Sequence, residues 1–459
     1  MLEISIVQMS VVGYINTTME VEKEKKIYIE TYGCQMNVAD TEVVLGVMNE
    51  AGYKFTNEAA IADLILINTC SVRDNAEQRA HQRVSELKEH KRRNPEVLIG
   101  VLGCMAERLR TSLMEKNNLV DLVVGPDEYR KLPKLVEDAY AGQRGIAVKL
   151  SRVENYDDIT PLRMEGISAW ISVMRGCDKF CTFCVVPFTR GRERSRTLKS
   201  VVEEAHKLSA QGYKEVTLLG QNVNSYHDGK YDFADLLAAV AQVNSAMRIR
   251  YMTSHPQDMS DKLIETMAVH NNICKYVHLP VQSGSNRILK LMNRTYTIEH
   301  YLHLMEKLRQ AMPGVSFSTD IMVGFPKETD DDHRMTLDVL KQVKYDGAFM
   351  FKYSPRENTR AWEMGDDVTD EIKVHRLNEI ITLQEEISGN LNHSLIGETV
   401  EVLVERDSSR SADDLLGRTD TNKKTLFPRD NARVGEYRKV KVERANAHTL
   451  FGKLIGSMN

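Results

Sequence analysis

The stretch RGCDKFCTFC, residues 175–184, holds three cysteines at spacings of four and three residues. Cysteine thiolates hold iron–sulfur clusters, normally four for a 4Fe–4S cube, and a structural zinc site also takes four Cys or His ligands. No fourth ligand lies close by, since the nearest histidine on the carboxyl side is His206. The spacing therefore indicates a cluster on Cys177, Cys181 and Cys184 (the core triad), with one metal position open to a small molecule. A zinc or purely structural site is the alternative.

The composition of the chain is that of an ordinary globular protein. Of 459 residues, 42% are hydrophobic and 27% charged, and the formal net charge is −4, so a nucleic-acid surface would have to be local. No window approaches the roughly 20 apolar residues of a membrane span, and residues 1–24 lack the basic start of a signal peptide. Seven cysteines in such a chain favour metal or redox chemistry over disulfides. We predict a cytoplasmic monomer with an amino-terminal extension over residues 1–24.

A second set of cysteines recurs along residues 25–145, where short apolar strands alternate with amphipathic helices. This alternation predicts a doubly wound parallel sheet with helices on both faces. Each of three predicted strands ends at a cysteine, namely Cys34, Cys70 and Cys104 (the N-terminal triad). Because carboxyl ends of parallel strands share one edge of the sheet, where α/β folds bind ligands, we expect these cysteines to form a second three-thiolate site. Three unrelated buried cysteines are the alternative.

The rest of the chain predicts two further domains. After an acidic, irregular stretch at 146–165, interpreted as a linker, six strand segments alternate with helices over residues 166–395 and predict a partial parallel (β/α)6 barrel, whose active site lies at the carboxyl ends of its strands. Residues 396–459 alternate like strands with Gly and Asn at turns, which predicts a small all-β barrel. The fold class is therefore α/β with a small all-β domain at its end. The six central segments are ISAWISVMRG, EVTLLGQNV, RIRYMTSHP, YVHLPVQSG, VSFSTDIMVGF and GAFMFKYSPR.

The cysteine spacing, with Phe183 before the last cysteine, resembles the radical S-adenosylmethionine (SAM) superfamily. Two triads and a terminal β domain together resemble its methylthiotransferase family, from about residue 25 to the end. The tail resembles a TRAM domain, an RNA-binding β module. GCQMN and GQNVNSY favour the branch that acts on N6-dimethylallyladenosine in tRNA over those acting on a ribosomal-protein aspartate or on threonylcarbamoyl-adenosine. The stretches that carry the resemblance are TYGCQMN, INTCSVR, LGCMAER, GCDKFCTFCVVPFTRGRERSR, LLGQNVNSY, LPVQSGS and DIMVGFPKET.

The resemblance implies an enzyme that replaces the C2 hydrogen of N6-dimethylallyladenosine, next to the anticodon of tRNA, with a methylthio group. The core triad would hold a 4Fe–4S cluster that cleaves SAM to a 5′-deoxyadenosyl radical. The N-terminal triad would hold an auxiliary 4Fe–4S cluster that carries the inserted sulfur. Two SAM molecules would be used per turnover, one for the methyl group and one for the radical, and flavodoxin or ferredoxin would supply electrons. A non-catalytic, zinc-loaded RNA-binding protein is the alternative from another class.

Polar groups at the ends of the central strands are further candidates for the site. The superfamily often has Gly-Gly-Glu after its second core strand, whereas this chain has Gly-Gln-Asn, so a polar loop is the alternative there. Asp320 and the Gln282–Ser283 pair are candidates for the interior of the site, or else turn and capping residues. The predicted SAM contacts are Phe183, Gly220, Gln221 and Asn222.

Two groups of basic residues are candidates for contact with the tRNA backbone, because arginine suits bidentate phosphate contact. TRGRERSR follows the core triad, so its arginines are candidates either for this contact or for positioning at the mouth of the cluster, and the alternative is a solvated charge run. The second group lies near a turn of the terminal domain. Cys274, His255 and His278 are interpreted as structural residues. The first group is Arg190, Arg192, Arg194 and Arg196, and the second is Arg418, Lys423 and Lys424 with the polar Asn422.

Overall fold

The computed structural model describes residues 24–71, 74–163, 166–409 and 411–455. In chain order they form a six-stranded parallel sheet, a partial barrel of parallel strands and a small closed β barrel. This arrangement confirms the predicted fold class. The extension predicted over residues 1–24 lies almost wholly outside the described residues. Within the described ranges, every helix is too short or too polar to cross a lipid bilayer.

The first unit is a sheet of six parallel strands with helices on both faces. Its strands are β1 (Lys26–Tyr32), β2 (Lys54–Phe55), β3 (Leu64–Thr69), β4 (Leu98–Gly103), β5 (Leu122–Val124) and β6 (Gly145–Ala147). Its helices are α1 (Gln35–Glu50), α2 (Asp74–Glu86), α3 (Lys88–Arg93), α4 (Cys104–Leu109), α5 (Ser112–Lys116) and α6 (Leu132–Tyr140). The strand order is β2-β1-β3-β4-β5-β6.

Strand β3 shows why this sheet is covered on both faces. All its residues are buried, and successive side chains point to opposite faces. Leu64 and Leu66 pack into an apolar layer with α1 and α6, whereas Ile65 and Ile67 pack with α2 and α4. Since every neighbouring pair of strands is parallel, the carboxyl ends lie at one edge, and the N-terminal triad follows three of them.

Residues 148–163, which leave the first sheet, pack as a junction between the first two units. Tyr156 is 3% exposed and stacks on Tyr129 with ring centroids 5.7 Å apart. Arg163 forms ion pairs with Glu42 of the first unit and Glu204 of the second. The two units are therefore joined by a packed segment.

The second unit contains eight strands, and six of them match the six predicted segments. The strands are β7 (Ser168–Ser172), β8 (Met174–Arg175), β9 (Arg194–Ser195), β10 (Glu215–Leu219), β11 (Arg248–Met252), β12 (Tyr276–His278), β13 (Ser316–Val323) and β14 (Gly347–Lys352). The helices are α7 (Val186–Thr189), α8 (Leu198–Ala210), α9 (Phe233–Ala241), α10 (Asp261–Val269), α11 (Asn286–Leu291), α12 (Ile298–Ala311), α13 (Asp330–Val343), α14 (Arg360–Glu363) and α15 (Asp370–His393).

The six matching strands form an open barrel, as predicted. They make two parallel sheets, β11-β10-β7 and β12-β13-β14, joined by a bridge between Ile249 and Ile273. Among the described residues β7 and β14 do not pair with each other, so the barrel is open along one side. The short antiparallel pair β8–β9 was not predicted, and the chain between its two strands carries the core triad.

The third unit is a closed five-stranded barrel in the order β15-β16-β17-β19-β18. It docks against the amino ends of the central strands, opposite the end that carries the cysteines. Arg250 of β11 donates to the carbonyl oxygens of Thr419 at 2.7 Å and Asp420 at 3.0 Å, and Arg248 donates to that of Arg418 at 2.7 Å. The strands are β15 (Thr399–Asp407), β16 (Asp414–Thr419), β17 (Lys424–Pro428), β18 (Tyr437–Ala445) and β19 (Leu450–Leu454).

Replacing Arg250 with alanine is expected to destabilise the junction between the central unit and the terminal barrel. Arg250 also pairs with Glu215 at 2.7 Å, and both side chains are 5% exposed. Breaking a buried pair by removing one partner costs about 3–5 kcal/mol, which thermal unfolding and limited proteolysis near residue 396 would detect. Lys199→Ala, which breaks an exposed pair with Glu203, is the matched control and should not change the unfolding midpoint. An unchanged midpoint for Arg250→Ala would contradict this role.

Candidate cluster and SAM site

The N-terminal triad comes together at the carboxyl edge of the first sheet. Cys34 precedes α1, Cys70 follows β3 and Cys104 begins α4. A hydrogen bond from Cys70, together with the charge of Arg190, lowers the pKa of Cys34 to about 5. Arg190 also donates from Nε to Cys104 Sγ at 3.2 Å. The structure thus places Cys34 beside Cys70, and Arg190 beside both Cys34 and Cys104.

Two buried asparagines position Cys34 beside Cys70. Asn37 accepts from the Cys34 amide at 3.3 Å and donates from Nδ2 to the carbonyl oxygen of Thr69 at 3.0 Å. Asn68 donates from Nδ2 to the carbonyl oxygen of Asn37 at 2.8 Å. These bonds tie the turn after β1 to the end of β3. Asn37 belongs to the segment GCQMN, and Asn68 belongs to INTC.

The core triad lies on a loop that needs glycine at its start. Gly176 has φ +80°, and a Cβ there would lie 2.0 Å from the carbonyl oxygen of Arg192, so a larger residue cannot fit. The Cys177 amide donates to the carbonyl oxygen of Gly191 at 3.2 Å. The loop therefore folds back against the segment that follows it.

Arg294 is the arginine of the core triad. Its Nη1 donates to Cys181 Sγ at 3.4 Å, and its Nη2 donates to the carbonyl oxygen of Pro280 at 2.9 Å. Burial raises the pKa of both Cys177 and Cys184 to about 12, and a bound metal ion would favour their thiolate forms. Sequence reasoning missed Arg294, which lies more than 100 residues from the triad, and no local motif marks it.

The donor sets of both triads fit anionic iron–sulfur clusters. Each has three cysteines and an arginine that donates to one sulfur, and a positive charge beside thiolates favours their ionised form. The buried Nη1 of Arg190 has no hydrogen-bond partner among the described residues, so it is free to donate to a group bound at the N-terminal triad. Within the described ranges, no three His, Cys, Asp or Glu side chains are grouped to hold a single metal ion.

A buried ion-pair network connects the surroundings of the two triads. Asp40, on α1, accepts from Arg190 Nη2 at 2.7 Å and from Arg175 Nη1 at 3.0 Å. Asp40 is 1% exposed, Arg175 2% and Arg190 3%. Arg175 lies just before Cys177, whereas Arg190 touches Cys104. One carboxylate of the first unit thus holds two arginines of the second.

Two of the predicted SAM contacts support the core loop. Gln221 Oε1 accepts a hydrogen bond from the Gly176 amide. Asn222 Nδ2 donates to Asp258 Oδ2 at 2.8 Å, and Asp258 pairs with Lys179 of the loop at 2.7 Å. The buried Oδ1 of Asn222 has no partner in the part of the chain that the structure describes. It can therefore accept a hydrogen bond from a bound amino group.

The other two predicted SAM contacts, Gly220 and Phe183, make close packing contacts. A Cβ at Gly220 would lie 2.6 Å from Met174 Cγ, so a larger residue there would require the Met174 side chain to shift. Phe183 packs edge-on against Phe325 with ring centroids 6.5 Å apart. Contact of these residues with SAM stays a prediction.

The remaining strand-end candidates differ in placement. Asp320 is half-buried with its Oδ1 3.6 Å from His278 Nε2. Gln282 lies in a left-handed turn at φ +67°, and Ser283 accepts from the Ser285 amide at 3.2 Å, which is the turn-and-capping role considered as the alternative. Asp320 stays a candidate for the interior of the site.

Cys274 and His255 have the surroundings of structural residues. Cys274 is 3% exposed, and burial raises the pKa of its thiol to about 12. Burial also lowers the pKa of His255 to about 2, so this histidine is neutral, and its Nδ1 accepts from the Gln257 amide at 3.2 Å.

The four arginines of TRGRERSR do not form a phosphate-binding surface. Arg194 pairs with Asp127 at 2.8 Å and Arg196 with Glu204 at 2.6 Å. Arg190 belongs to the buried network around Asp40. Within this motif only Arg192 has an exposed side chain, at 65%. The phosphate role considered from the sequence was wrong for the three buried residues, because burial and carboxylate partners already satisfy them.

Lys423 of the terminal barrel joins this barrel to the second unit. Its Nζ donates to Asp346 Oδ1 at 2.6 Å and to Asn392 Oδ1 at 2.9 Å. Arg418 pairs with Glu405 at 3.2 Å. Lys424 is exposed, and its contact with phosphate stays a prediction.

Family models match three successive parts of the chain. They are the uncharacterized protein family UPF0004 over residues 26–125, the radical SAM superfamily over residues 171–340 and a TRAM domain over residues 393–455. The radical SAM match implies SAM and a 4Fe–4S cluster, and the UPF0004 match suggests an auxiliary cluster. The TRAM match and the relatives described next imply tRNA as substrate.

Curated relatives named tRNA-2-methylthio-N(6)-dimethylallyladenosine synthase match nearly the whole chain. The protein of Chloroherpeton thalassium is 48% identical over 436 residues, covering 94% of this chain and 97% of its own. That of Bacteroides fragilis is 49% identical and covers 95% and 97%. The chain belongs to this synthase family. The predicted family of radical SAM methylthiotransferases is thereby confirmed.

Solved structures that resemble this member of the family are other radical SAM enzymes. The radical SAM methyltransferase TsrM from Kitasatospora setae has a TM-score of 0.55 and 16% identity, and the match covers 74% of this chain and 77% of TsrM. The cobalamin-dependent radical enzyme OxsB has a TM-score of 0.53 and 12% identity, with 79% and 56% covered. At these identities the likeness shows the fold alone.

Proposed function

We propose that this protein converts N6-dimethylallyladenosine, next to the anticodon of tRNA, to its 2-methylthio derivative. Family membership supports this acceptor. The observation that carries the proposal is that the two cysteine triads lie on either side of the buried junction between the first and second units. Arg190 touches the N-terminal triad, Arg294 touches the core triad, and Asp40 ties the first of these arginines to the strand that leads into the core loop.

Each triad is proposed to hold a 4Fe–4S cluster: Cys34, Cys70 and Cys104 the auxiliary one, and the core triad the one that binds SAM. When bound, the clusters and two SAM molecules would supply three things: a sulfur atom, a methyl group, and a 5′-deoxyadenosyl radical that removes the C2 hydrogen. Electrons would come from a donor such as flavodoxin or ferredoxin. The by-products would be methionine, 5′-deoxyadenosine and S-adenosylhomocysteine.

The chain's own residues orient these groups and keep water away. Arg190 and Arg294 each donate to one cysteine sulfur, which fixes the sulfur and offsets its negative charge. Asp40 fixes Arg190 in turn. Because this carboxylate and both its arginine partners are buried, the junction excludes solvent, and electrostatic interactions inside it are strong.

The target base must leave its stack to reach the site. The open side of the barrel, between β7 and β14, offers a route of entry, and the terminal barrel is proposed to hold tRNA backbone. The proposed domains are an auxiliary-cluster domain at 25–145, a linker at 146–165, a radical SAM core at 166–395 and an RNA-binding domain at 396–459. We further propose a cytoplasmic monomer.

The proposal is tested with anaerobically reconstituted protein, SAM, a strong reductant and tRNA bearing N6-dimethylallyladenosine. Mass spectrometry of the digested nucleosides should detect the methylthio product, together with 5′-deoxyadenosine. 5′-Deoxyadenosine without product would leave a radical SAM enzyme with another acceptor. A colourless protein with stoichiometric zinc and neither signal would support the non-catalytic RNA-binding alternative instead.

Replacing Asn222 with alanine is expected to weaken SAM binding about tenfold, because its buried Oδ1 is proposed to accept from SAM; one hydrogen bond to a charged group is worth about 1.5–3 kcal/mol. Equilibrium binding of SAM to the reconstituted protein would measure this. Asn224→Ala is the matched control, since both polar ends of Asn224 already bond to the backbone of His255. Equal losses of SAM affinity in the two variants would contradict the role of Asn222.

A further inference from the structure

Strand β14 presents two phenylalanine side chains to open space along one edge of the barrel. Ala348 and Met350 pack against the helices outside the barrel, so the alternating residues Phe349 and Phe351 point to the opposite, inner face. Phe349 is 45% exposed and Phe351 37%. β14 pairs only with β13 among the described strands, so this apolar face borders the open side of the barrel.

The inner face of β14 lies along the path to the core triad. Phe349 is in register with Asp320, and Phe351 with Met322, near the carboxyl end of β13. Met322 packs in the same apolar cluster as Phe183, which stands between two cysteines of the core triad. The two phenylalanines therefore form a strip that runs from the barrel interior toward the proposed SAM site.

His278 and Asp320 give the strip a polar neighbour at Phe349. The ring of His278 lies edge-on to Phe349, with ring centroids 5.7 Å apart, and its Nε2 is 3.6 Å from Asp320 Oδ1. An aromatic surface beside a histidine and a carboxylate suits a ligand with a flat polar ring and an apolar substituent, since stacking and apolar contact bind one part and hydrogen bonds the other.

We propose that Phe349 and Phe351 form the subsite for the N6-dimethylallyl substituent of the target adenosine, and so determine that this base, rather than unmodified adenosine, is accepted. The inference rests on the proposed function. The substituent is a branched apolar group of five carbons, and burying it against two exposed rings removes apolar surface of both partners from water. The base edge then faces His278 and Asp320.

The test compares binding of two anticodon stem-loops, identical except that one carries N6-dimethylallyladenosine and the other adenosine, to reconstituted protein with SAM. The wild type should bind the dimethylallyl form more tightly. Phe349→Ala and Phe351→Ala should each lower that affinity ratio about tenfold, the factor that a small change in an apolar pocket produces. Phe349→Leu, which keeps apolar volume, should retain most of the ratio. SAM affinity and 5′-deoxyadenosine formation without RNA are measured alongside, so that loss of the subsite is distinguished from damage to the SAM site.

Met350→Ala is the matched control, because this side chain lies on the same strand but faces the helices. It should lower the unfolding midpoint and leave the affinity ratio as in the wild type. The inference is overturned if Phe349→Ala keeps the full ratio, or if it weakens SAM binding instead, which would place the strip against SAM. A wild type that binds both stem-loops equally would overturn this subsite, whereas the proposed acceptor is refuted only if no methylthio product forms.

Discussion

Replacing all three cysteines of the N-terminal triad with alanine is expected to abolish the methylthio product while SAM cleavage continues. The core triad lies on a separate loop, and its arginine follows α11 of the same unit, so that cluster should still assemble. Replacing the core triad instead should abolish both product and 5′-deoxyadenosine. Each triple variant should lose about half of the iron, from about eight atoms per chain to about four, as expected for two 4Fe–4S clusters. Iron analysis, electron paramagnetic resonance and nucleoside mass spectrometry measure the three outcomes.

Cys274→Ala is the control for this pair of variants. Cys274 is a buried cysteine of the same core that belongs to neither triad. It should keep full iron content and both reaction products, with at most a small loss of stability. Full activity in either triple variant would show that the cysteines are structural and would remove the basis of the proposed chemistry.

Replacing Asp40 with alanine is expected to cause the largest loss of stability of any single charged substitution considered in this protein. Its carboxylate forms ion pairs with both Arg175 and Arg190. Removing it leaves the positive charges of two buried arginines without this carboxylate partner. Breaking one buried ion pair costs about 3–5 kcal/mol. The apoprotein, unfolded by urea, should show a lower midpoint, and the reconstituted protein should show a changed resonance spectrum of the auxiliary cluster, because Arg190 would lose its orientation.

Two further variants distinguish the loss of the buried ion pairs of Asp40 from the general effect of removing one charge. Asp158→Ala removes the exposed partner of Arg130, a surface pair, and should change neither readout. Arg175→Met combined with Asp40→Ala should lose less stability than the sum of the single changes, since the two residues interact directly. An unchanged spectrum for Asp40→Ala, measured on protein with full iron, would show that Asp40 supports folding only.

The fold was predictable because its signals are periodic and local. Strands such as β3 and β4 are continuous apolar runs that end at a cysteine, and the six central strands each carry a β-branched or aromatic core. The antiparallel pairing of β8 with β9 escaped prediction, because β8 lies inside the first predicted segment and Arg194–Ser195 carry no strand pattern. The five-stranded terminal barrel followed from alternation and turn residues.

The candidate site was predictable only in part. The cysteines are visible because their spacing and their place after strands are properties of the chain. The arginines of TRGRERSR misled, because a run of charges in sequence is compatible with either a solvated face or a set of buried pairs. Asp40 and Asp127 come from distant elements and Glu204 from the helix that follows the motif, so only the packed chain distinguishes a solvated face from buried pairs.

The sequence by itself determined the three-part architecture, the two cysteine triads and the family, since these depend on residue types at fixed spacings. Only the tertiary structure decided that Arg190 touches Cys104, that Arg294 touches Cys181, that Asp40 connects the two units, and that Phe349 and Phe351 face the barrel interior. Each of these contacts joins segments far apart in the chain. Their geometry follows from how sheets and barrel pack against each other, which no local spacing encodes.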